Sequence, residues 1–202
     1  MKLLINFKKN LKMKNISDYI RLRRSIYPEQ FSGEEIKKEQ ILELLENANH
    51  APTHKLTQPW RFKIVSGSKK SELGIILAEQ MKLKTAAELF SEITYNKMKS
   101  RPEKSSHVIA VCMYRDPKES LPEWEEIAAV SMAVQNIWLS AAEFGIGLYW
   151  ATPKPSSSEA VASFLKLDTN EKCLGFLYLG YAETNPDQKA VRTPIEDKTM
   201  WL

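Results

Sequence analysis

The spacing of apolar residues changes several times along the 202-residue chain, and each change marks a predicted element. The first helical spacing is that of Ile41, Leu44, Leu45 and Ala48, which share one face of a helix. Residues 32–35, Ser-Gly-Glu-Glu, form a capping-box pattern in front of them. We therefore predict a helix from about residue 33 to residue 49, ended by Pro52.

Further apolar runs predict an alternation of strands and helices over the rest of the chain. Short runs predict strands at 61–66, 108–113, 147–151 and 173–181. Longer stretches predict helices at 69–80, 85–99, 124–144 and about 157–166. This mixture indicates an α+β or α/β fold. No repeat or linker divides the chain, so residues 13–202 should form one domain and residues 1–12 a disordered N-terminal extension.

The predicted helix at 124–144 is apolar on nearly every face, and Gly145 is suited to end it. Such a helix should be buried on most sides, either in the core or against a partner subunit. The chain ends in Met200-Trp201-Leu202 after a polar stretch, which indicates a tail docked on another surface.

Composition and charge exclude few functions. The hydrophobic fraction of 43% and the charged fraction of 27% are ordinary for a globular protein. The net charge of +4 reflects five lysines among the first fourteen residues, which with one interleaved aromatic residue argue poorly for nucleic-acid binding. We expect no signal peptide and no membrane-spanning stretch. Cys112 and Cys173 lie in apolar runs, so we predict buried reduced thiols and a cytoplasmic protein.

Two motifs carry the chemistry. Arg23-Arg24-Ser25, near the start of a predicted helical segment, offers two guanidinium groups and a hydroxyl that suit a phosphate dianion. Residues 51–62, Ala-Pro-Thr-His-Lys-Leu-Thr-Gln-Pro-Trp-Arg-Phe, form a rigid connector that carries polar side chains. The pairing predicts a mononucleotide site of the flavin type.

At these motifs the sequence resembles the nitroreductase family of FMN-dependent oxidoreductases, and within it a small bacterial branch. The resemblance continues through Pro122-x-Trp124-Glu125, the region of Trp150 and the segment 175–180. It implies a mostly antiparallel sheet flanked by helices, in an intertwined homodimer with FMN at the interface. It also implies hydride transfer from NADH or NADPH to nitroaromatic, quinone or related electron-poor small molecules. The order of reaction would be ping-pong, with the chemistry carried by FMN and no catalytic side chain.

The resemblance assigns the FMN phosphate and ribityl chain to Arg23 and Ser25, and contacts beside the ring to Arg24. Arg192 in the tail is a further phosphate contact. The segment Trp150, Ala151 and Thr152 matches the stretch that passes the flavin. Tyr27 stands where the family often has a basic residue, so a cation near the flavin pyrimidine is missing from that position.

The same resemblance places His54 and Gln58 near the flavin and makes His50 a contact from the other chain. Arginine is usual at the position of His50 in this branch. His50 and His54 are four residues apart, but Pro52 lies between them and no further ligand completes a metal site. We predict no bound metal, and a packing role for Trp60.

Three other interpretations remain open at this point. Flavin chemistry of the dehalogenase or oxygenase type would use the same fold and the same phosphate motif. A non-catalytic FMN-binding protein would hold the flavin without turning over NAD(P)H. A basic nucleic-acid-binding module would depend on the lysine-rich start of the chain and would bind in a salt-dependent way.

Overall fold

The computed structural model describes residues 15–183 and 190–202. The predicted extension at residues 1–12 lies outside these residues. Four strands form one sheet, β1 (Trp60–Val65), β2 (His107–Tyr114), β3 (Ile146–Ala151) and β4 (Glu171–Tyr181). Their order is β1-β2-β4-β3 and every neighbouring pair is antiparallel. Each strand begins and ends within two residues of its predicted position.

In the described parts of the chain six α-helices flank the sheet, which makes the fold α+β, as predicted. They are α1 (Ile16–Leu22), α2 (Lys38–Asn49), α3 (Lys69–Leu83), α4 (Glu92–Lys104), α5 (Glu123–Ala141) and α6 (Glu159–Leu165). Helices α2 and α5 pack on one face of the sheet, and α3, α4 and α6 on the other. Central strand β2 is therefore buried on both faces, which explains its continuous apolar run.

Helix α2 begins at Lys38, five residues after the predicted start, because earlier residues are held by other bonds. The backbone N–H of Glu34 donates to Ser32 Oγ at 3.2 Å, which closes a turn rather than a helix. The N–H of buried Ile36 donates to Ser106 Oγ at 2.7 Å, so the chain is tied to the start of β2 before the helix forms. No local sequence pattern contains that distant bond.

Helix α4 also begins later than predicted, at Glu92 rather than near residue 85. The hydroxyl of Thr85 donates to the carbonyl of Met81 at 2.7 Å, so it belongs to the end of α3. Ser91 Oγ accepts from the N–H of Thr94 at 3.3 Å and is the true N-cap of α4.

Helix α5 is buried along one stripe rather than on most sides. Trp124, Ile127 and Met132 are exposed on its outer side. Glu126 is fully buried and accepts hydrogen bonds from Arg115 Nη1 at 2.5 Å and from the N–H of Asp116 at 3.0 Å. Among the described residues, Glu123–Phe144 is the one helical stretch long and apolar enough to cross a membrane, which corrects the expectation that no stretch could. Its packing on the sheet identifies it as a core helix of this fold.

Two glycines let the segment 23–31, called here the strap, lie close to the sheet. Gly147 in β3 and Gly180 in β4 are directly opposite each other. A Cβ atom on Gly147 would lie 3.0 Å from the side chain of Ile26, and one on Gly180 would lie 2.5 Å from the ring of Phe31. Both strap side chains are buried there, so the glycine pair fixes the position of the residues between α1 and α2.

Candidate functional site

The Arg-Arg-Ser motif lies at the end of helix α1, not near the start of a helical segment as predicted. Asn15 caps the start of α1, and the N–H of Arg23 donates to the carbonyl of Tyr19 at 3.0 Å. The backbone of Arg23 then turns to an extended conformation and leads into the strap. Arg23 and Arg24 therefore lie just after the end of the helix, at the start of the strap.

Trp138 of helix α5 contacts the start of the strap, at Arg23 and Arg24. Its ring lies under the guanidinium of Arg23, 4.5 Å from the ring centre to Cζ. Its Nε1 donates to the carbonyl of Arg24 at 3.2 Å. The side chain of Arg24 curls back to donate to the carbonyls of Arg21 and Arg23. Both arginines are thus positioned by α1 and α5 together.

Arg192 in the tail adds to the positive charge that acts on Arg23. Burial lowers the pKa of Arg23, and the charges of Arg192 and Arg24 lower it further. Within the described residues no carboxylate forms an ion pair with Arg23. Ser25 is exposed beside them. Positive charges gathered in this way favour an anion, and the donors of Arg23 and Ser25 suit a phosphate dianion.

A cavity of about 310 Å³ opens beside the strap on the α4 side of the sheet. It is lined by Thr94, Lys97, Met98, Arg101, Tyr149, Ala151, Thr152, Pro153 and Tyr178. Two predicted site residues, Ala151 and Thr152, are therefore in its wall. Trp150 instead packs with the core on the opposite face of β3. Its buried Nε1 has no hydrogen-bond partner in the part of the chain that the structure describes.

Arg101 of helix α4 is a site residue that the sequence analysis missed. Its guanidinium lies 5.6 Å from the ring centre of Tyr27 and 5.2 Å from that of Tyr149. The two tyrosine rings are 4.6 Å apart, so the cation stands beside the very residue that replaces a basic side chain. The one sequence feature that pointed to such a residue was Tyr27. A flavin site without a basic residue at that position needs a positive charge from another part of the chain.

Glu29 of the strap fixes Arg101 by accepting a hydrogen bond from its Nε at 3.0 Å. Burial alone would raise the pKa of Glu29, but the bonds from Arg101 and from the backbone and the charges of Arg101 and Lys104 outweigh it. The pKa of Glu29 is therefore below its usual value. Burial opposes the charged form of Arg101, yet the bond and charge of Glu29, aided by Tyr149 and Tyr178, raise its pKa.

The loop that carries His54 and Gln58 lies at the β1 edge of the sheet, whereas the strap lies at the β3 edge. Three inter-strand spacings separate these two edge strands, about 14 Å at the usual strand spacing. His54 Nδ1 is 2.6 Å from a carboxylate oxygen of Glu125, and His50 Nε2 is 3.3 Å from Glu46. Within one chain these residues are not brought together with Arg23.

The backbone of this loop is strained. Lys55, Leu56 and Gln58 all have positive φ, at 50°, 54° and 44°, which costs about 1–3 kcal/mol for each such residue. The loop is held against the start of α5, where Lys55 Nζ donates to the carbonyl of Ser120 at 2.9 Å. Strain of this kind clusters at binding sites and supports a functional role for the loop.

Two predictions about buried side chains are confirmed. Trp60 is 6% exposed and packs in the core, with Nε1 donating to Asn49 Oδ1 at 3.1 Å. Cys112 and Cys173 are buried free thiols that face each other across β2 and β4. Their contact and their burial raise the pKa of the Cys112 thiol.

Comparison with known proteins gives one consistent family. The family model described as the nitroreductase family matches residues 20–181. A protein of Bacillus subtilis provisionally named NAD(P)H nitroreductase YfhC is 32% identical over 183 residues, covering 91% of this chain and 92% of its own length. The crystal structure of a nitroreductase-like family protein from Bacillus cereus superposes with a TM-score of 0.78 and 27% identity, covering 95% of this chain and 98% of that one.

A more distant structure shares the fold. The FMN-dependent nitroreductase NfnB from Mycobacterium smegmatis, solved in complex with NADPH, has a TM-score of 0.71 at 19% identity. The shared region covers 92% of this chain and 97% of that one. From the family match over residues 20–181 and the relative at 32% identity, this chain belongs to the nitroreductase family of oxidoreductases.

Proposed function

We propose that this protein is an FMN-dependent oxidoreductase that transfers hydride from NAD(P)H to nitroaromatic, quinone or related electron-poor acceptors. The observation that carries the proposal is the pair Arg23 and Arg24, which Trp138 holds at the start of the strap, with the charge of Arg192 acting on Arg23. Charge-assisted hydrogen bonds from such groups favour a phosphate-bearing flavin over riboflavin. The NADPH-bound, FMN-dependent neighbour of the same fold supports the choice of cofactor and donor.

The strap connects this phosphate corner to the cavity in which the flavin ring would lie. Ser25 lies between the arginine cluster and Tyr27, and is exposed for contact with the ribityl chain. Ala151 and Thr152 form part of the cavity wall, and their main chain offers polar groups to the ring edge. Arg101 supplies the positive charge that Tyr27 lacks. A volume of about 310 Å³ is within the range of small-molecule pockets.

When bound, FMN would supply the chemistry of hydride transfer between reduced nicotinamide and the acceptor. The side chains named above then bind, orient and balance charge, and no acid or base is required for the first step. Arg23, Ser25 and Arg192 hold the phosphate. Arg101 stabilises the negative charge that the flavin gains on reduction, because a cation close to a developing anion is most effective where water is excluded.

We propose that the active form is a homodimer with FMN at its interface. His54 and Gln58 lie at the opposite edge of the sheet from Arg23 in the same chain, so they can serve a flavin held by the other chain. His50 would also contact the flavin held by the other chain, although its side chain pairs with Glu46 in this structure. The buried reduced thiols fit action in the cytoplasm.

The absorbance spectrum of the purified protein tests the proposal directly. We expect a yellow protein with about one FMN per chain, released on denaturation. Anaerobic NADH or NADPH should bleach it, and a quinone or nitroaromatic should restore the colour. Because donor and acceptor would share one face of the flavin, initial-rate plots should give the parallel lines of ping-pong turnover.

Other outcomes separate the alternatives. A protein that stays colourless when incubated with FMN would contradict the proposal as a whole. Bound FMN that neither nicotinamide can bleach would indicate a flavin store or sensor. Bleaching without transfer to quinones or nitroaromatics would point to dehalogenase-type or oxygenase-type chemistry, and intersecting kinetic lines would indicate separate donor and acceptor sites.

A further inference from the structure

The ion pair between Glu29 and Arg101 joins two distant parts of the chain at the wall of the cavity. Glu29 lies in the short helical turn of the strap, Pro28–Gln30, and Arg101 in the last turn of α4. The pair is half-enclosed, with 31% of the Glu29 side chain and 23% of the Arg101 side chain exposed. Such a pair is screened less by water than a surface pair, so its charges act on their surroundings.

The geometry of Arg101 leaves most of its donors available to a ligand. Only Nε is engaged, by Glu29 at 3.0 Å. The two Nη nitrogens have no acceptor among residues 15–183 and 190–202. The guanidinium lies beside the rings of both Tyr27 and Tyr149, and the side chain lines the cavity. The Nη–H donors of Arg101 are therefore fixed at the cavity wall, and Glu29 offsets part of the guanidinium charge from the Nε side.

Reduction of a flavin adds negative charge to the ring, so a nearby cation favours the reduced state and a nearby anion opposes it. Building on the proposed function, we infer that Glu29 is a positioning residue that holds Arg101 toward the flavin and offsets part of its charge. Glu29 would thereby keep the midpoint potential of bound FMN lower than Arg101 alone would make it. The strap would control both the binding of the phosphate and the electron affinity of the ring.

The two-electron midpoint potential of the FMN-loaded protein tests this inference. Glu29→Gln removes the charge but keeps an amide oxygen that can accept from Arg101. It should raise the affinity for reduced FMN relative to oxidised FMN about tenfold. This change corresponds to a midpoint potential about 30 mV more positive. Arg101→Gln should shift the potential in the opposite direction. The double variant should have a more positive potential than Arg101→Gln alone, because the carboxylate of Glu29 opposes reduction of the flavin whether or not Arg101 is present.

Glu123→Gln is the matched control, because it removes the carboxylate of an ion pair with Lys172 that lies outside the cavity. It should leave the potential unchanged. An unchanged potential in Glu29→Gln, with FMN bound, would overturn the inference while leaving the proposed function intact. If Glu29→Gln does not fold, the comparison of Arg101→Gln with the double variant decides, because equal potentials would show that the charge of Glu29 does not act on the flavin. Absence of FMN from the wild-type protein would instead refute the proposed function.

Discussion

At the scale of single residues, Arg23 is the group on which the proposed phosphate contact most depends. Arg23→Ala should weaken FMN binding roughly ten- to a hundred-fold, because a charged hydrogen bond contributes about 1.5–3 kcal/mol. Titration of the apoprotein with FMN, followed by flavin fluorescence, measures this. Arg21→Ala is the control, since Arg21 is an exposed arginine on α1. Equal weakening by both variants would indicate a general effect of charge rather than a site at Arg23.

Deletion of residues 1–12 should leave FMN affinity unchanged, because the resemblance to the family begins after them. If the deletion abolished binding while Arg23→Ala did not, the phosphate site would lie in the lysine-rich start of the chain.

The lowered pKa of buried His107 predicts how the stability of the fold depends on pH. The imidazole is 9% exposed, and its Nδ1 is 2.8 Å from Ser106 Oγ, which already accepts from the N–H of Ile36. Burial lowers the pKa of His107, and the charge of Lys70 adds to this effect against the opposing charge of Glu35. The unfolded chain therefore binds a proton at His107 at a higher pH than the folded chain does.

Because the unfolded state binds more protons in that interval, stability should fall as the pH drops below about 6.5, the ordinary pKa of histidine. Urea denaturation of the apoprotein between pH 8 and pH 5.5 measures this, and His107→Gln should show a smaller fall. The difference between the two proteins at pH 8 reports the packing change alone. Parallel stability curves for the two proteins would contradict the prediction.

At the scale of elements, local pattern predicted the strands well and the starts of two helices poorly. Each strand is a short apolar run ended by turn residues, and such a signal is complete within the run. The start of α2 depends on a distant bond, from the N–H of Ile36 to Ser106 Oγ, and no pattern near residue 33 contains that partner. Near residue 85 the competition is local, because the hydroxyl of Thr85 bonds to the carbonyl of Met81 at the end of α3, and apolar spacing does not show this polar bond.

In the candidate site, too, the sequence predicted the residues that lie in local motifs and missed a residue that depends on a long-range contact. The arginine motif and the segment 150–152 were visible as local motifs, and the structure places Ala151 and Thr152 in the cavity wall. Arg101 could not be assigned from sequence, because it lies 72 residues from its partner Glu29. Only the fold of α4 over the strap shows that it stands beside Tyr27.

The strap also gives a prediction about the glycine pair beneath it. A Cβ on Gly180 would lie 2.5 Å from the ring of Phe31, so Gly180→Ala must displace that ring. Overpacking of this kind costs about 1–3 kcal/mol of stability, and loss of the strap position should also weaken FMN binding. In a Phe31→Ala background the same substitution should cost less, because the opposing ring is gone. Thermal unfolding of the four proteins measures the coupling, and additive effects would contradict a direct clash.

At the scale of the whole molecule, several apolar side chains are left uncovered by residues 15–183 and 190–202 of the same chain. Trp124 and Ile127 are exposed on α5, and Leu56 is exposed on the strained loop beside it. In the tail, Met200, Trp201 and Leu202 are almost fully exposed. Large exposed apolar surfaces usually mark an interface. An intertwined homodimer would cover these surfaces and would also bring the loop of one chain to the flavin of the other.

Sedimentation at low micromolar concentration should therefore report twice the mass of one chain. A paired substitution, Met200→Ser with Trp201→Ser, should weaken dimerisation by roughly thirtyfold or more, since a buried interface tryptophan commonly contributes at least about 2 kcal/mol. Leu83→Ser is the control, as Leu83 is an exposed apolar residue at the end of α3. FMN should be lost together with the dimer, because each flavin site would need both chains. A stable monomer that retains one FMN would refute both the dimer and the contribution of His54 and Gln58 from a second chain.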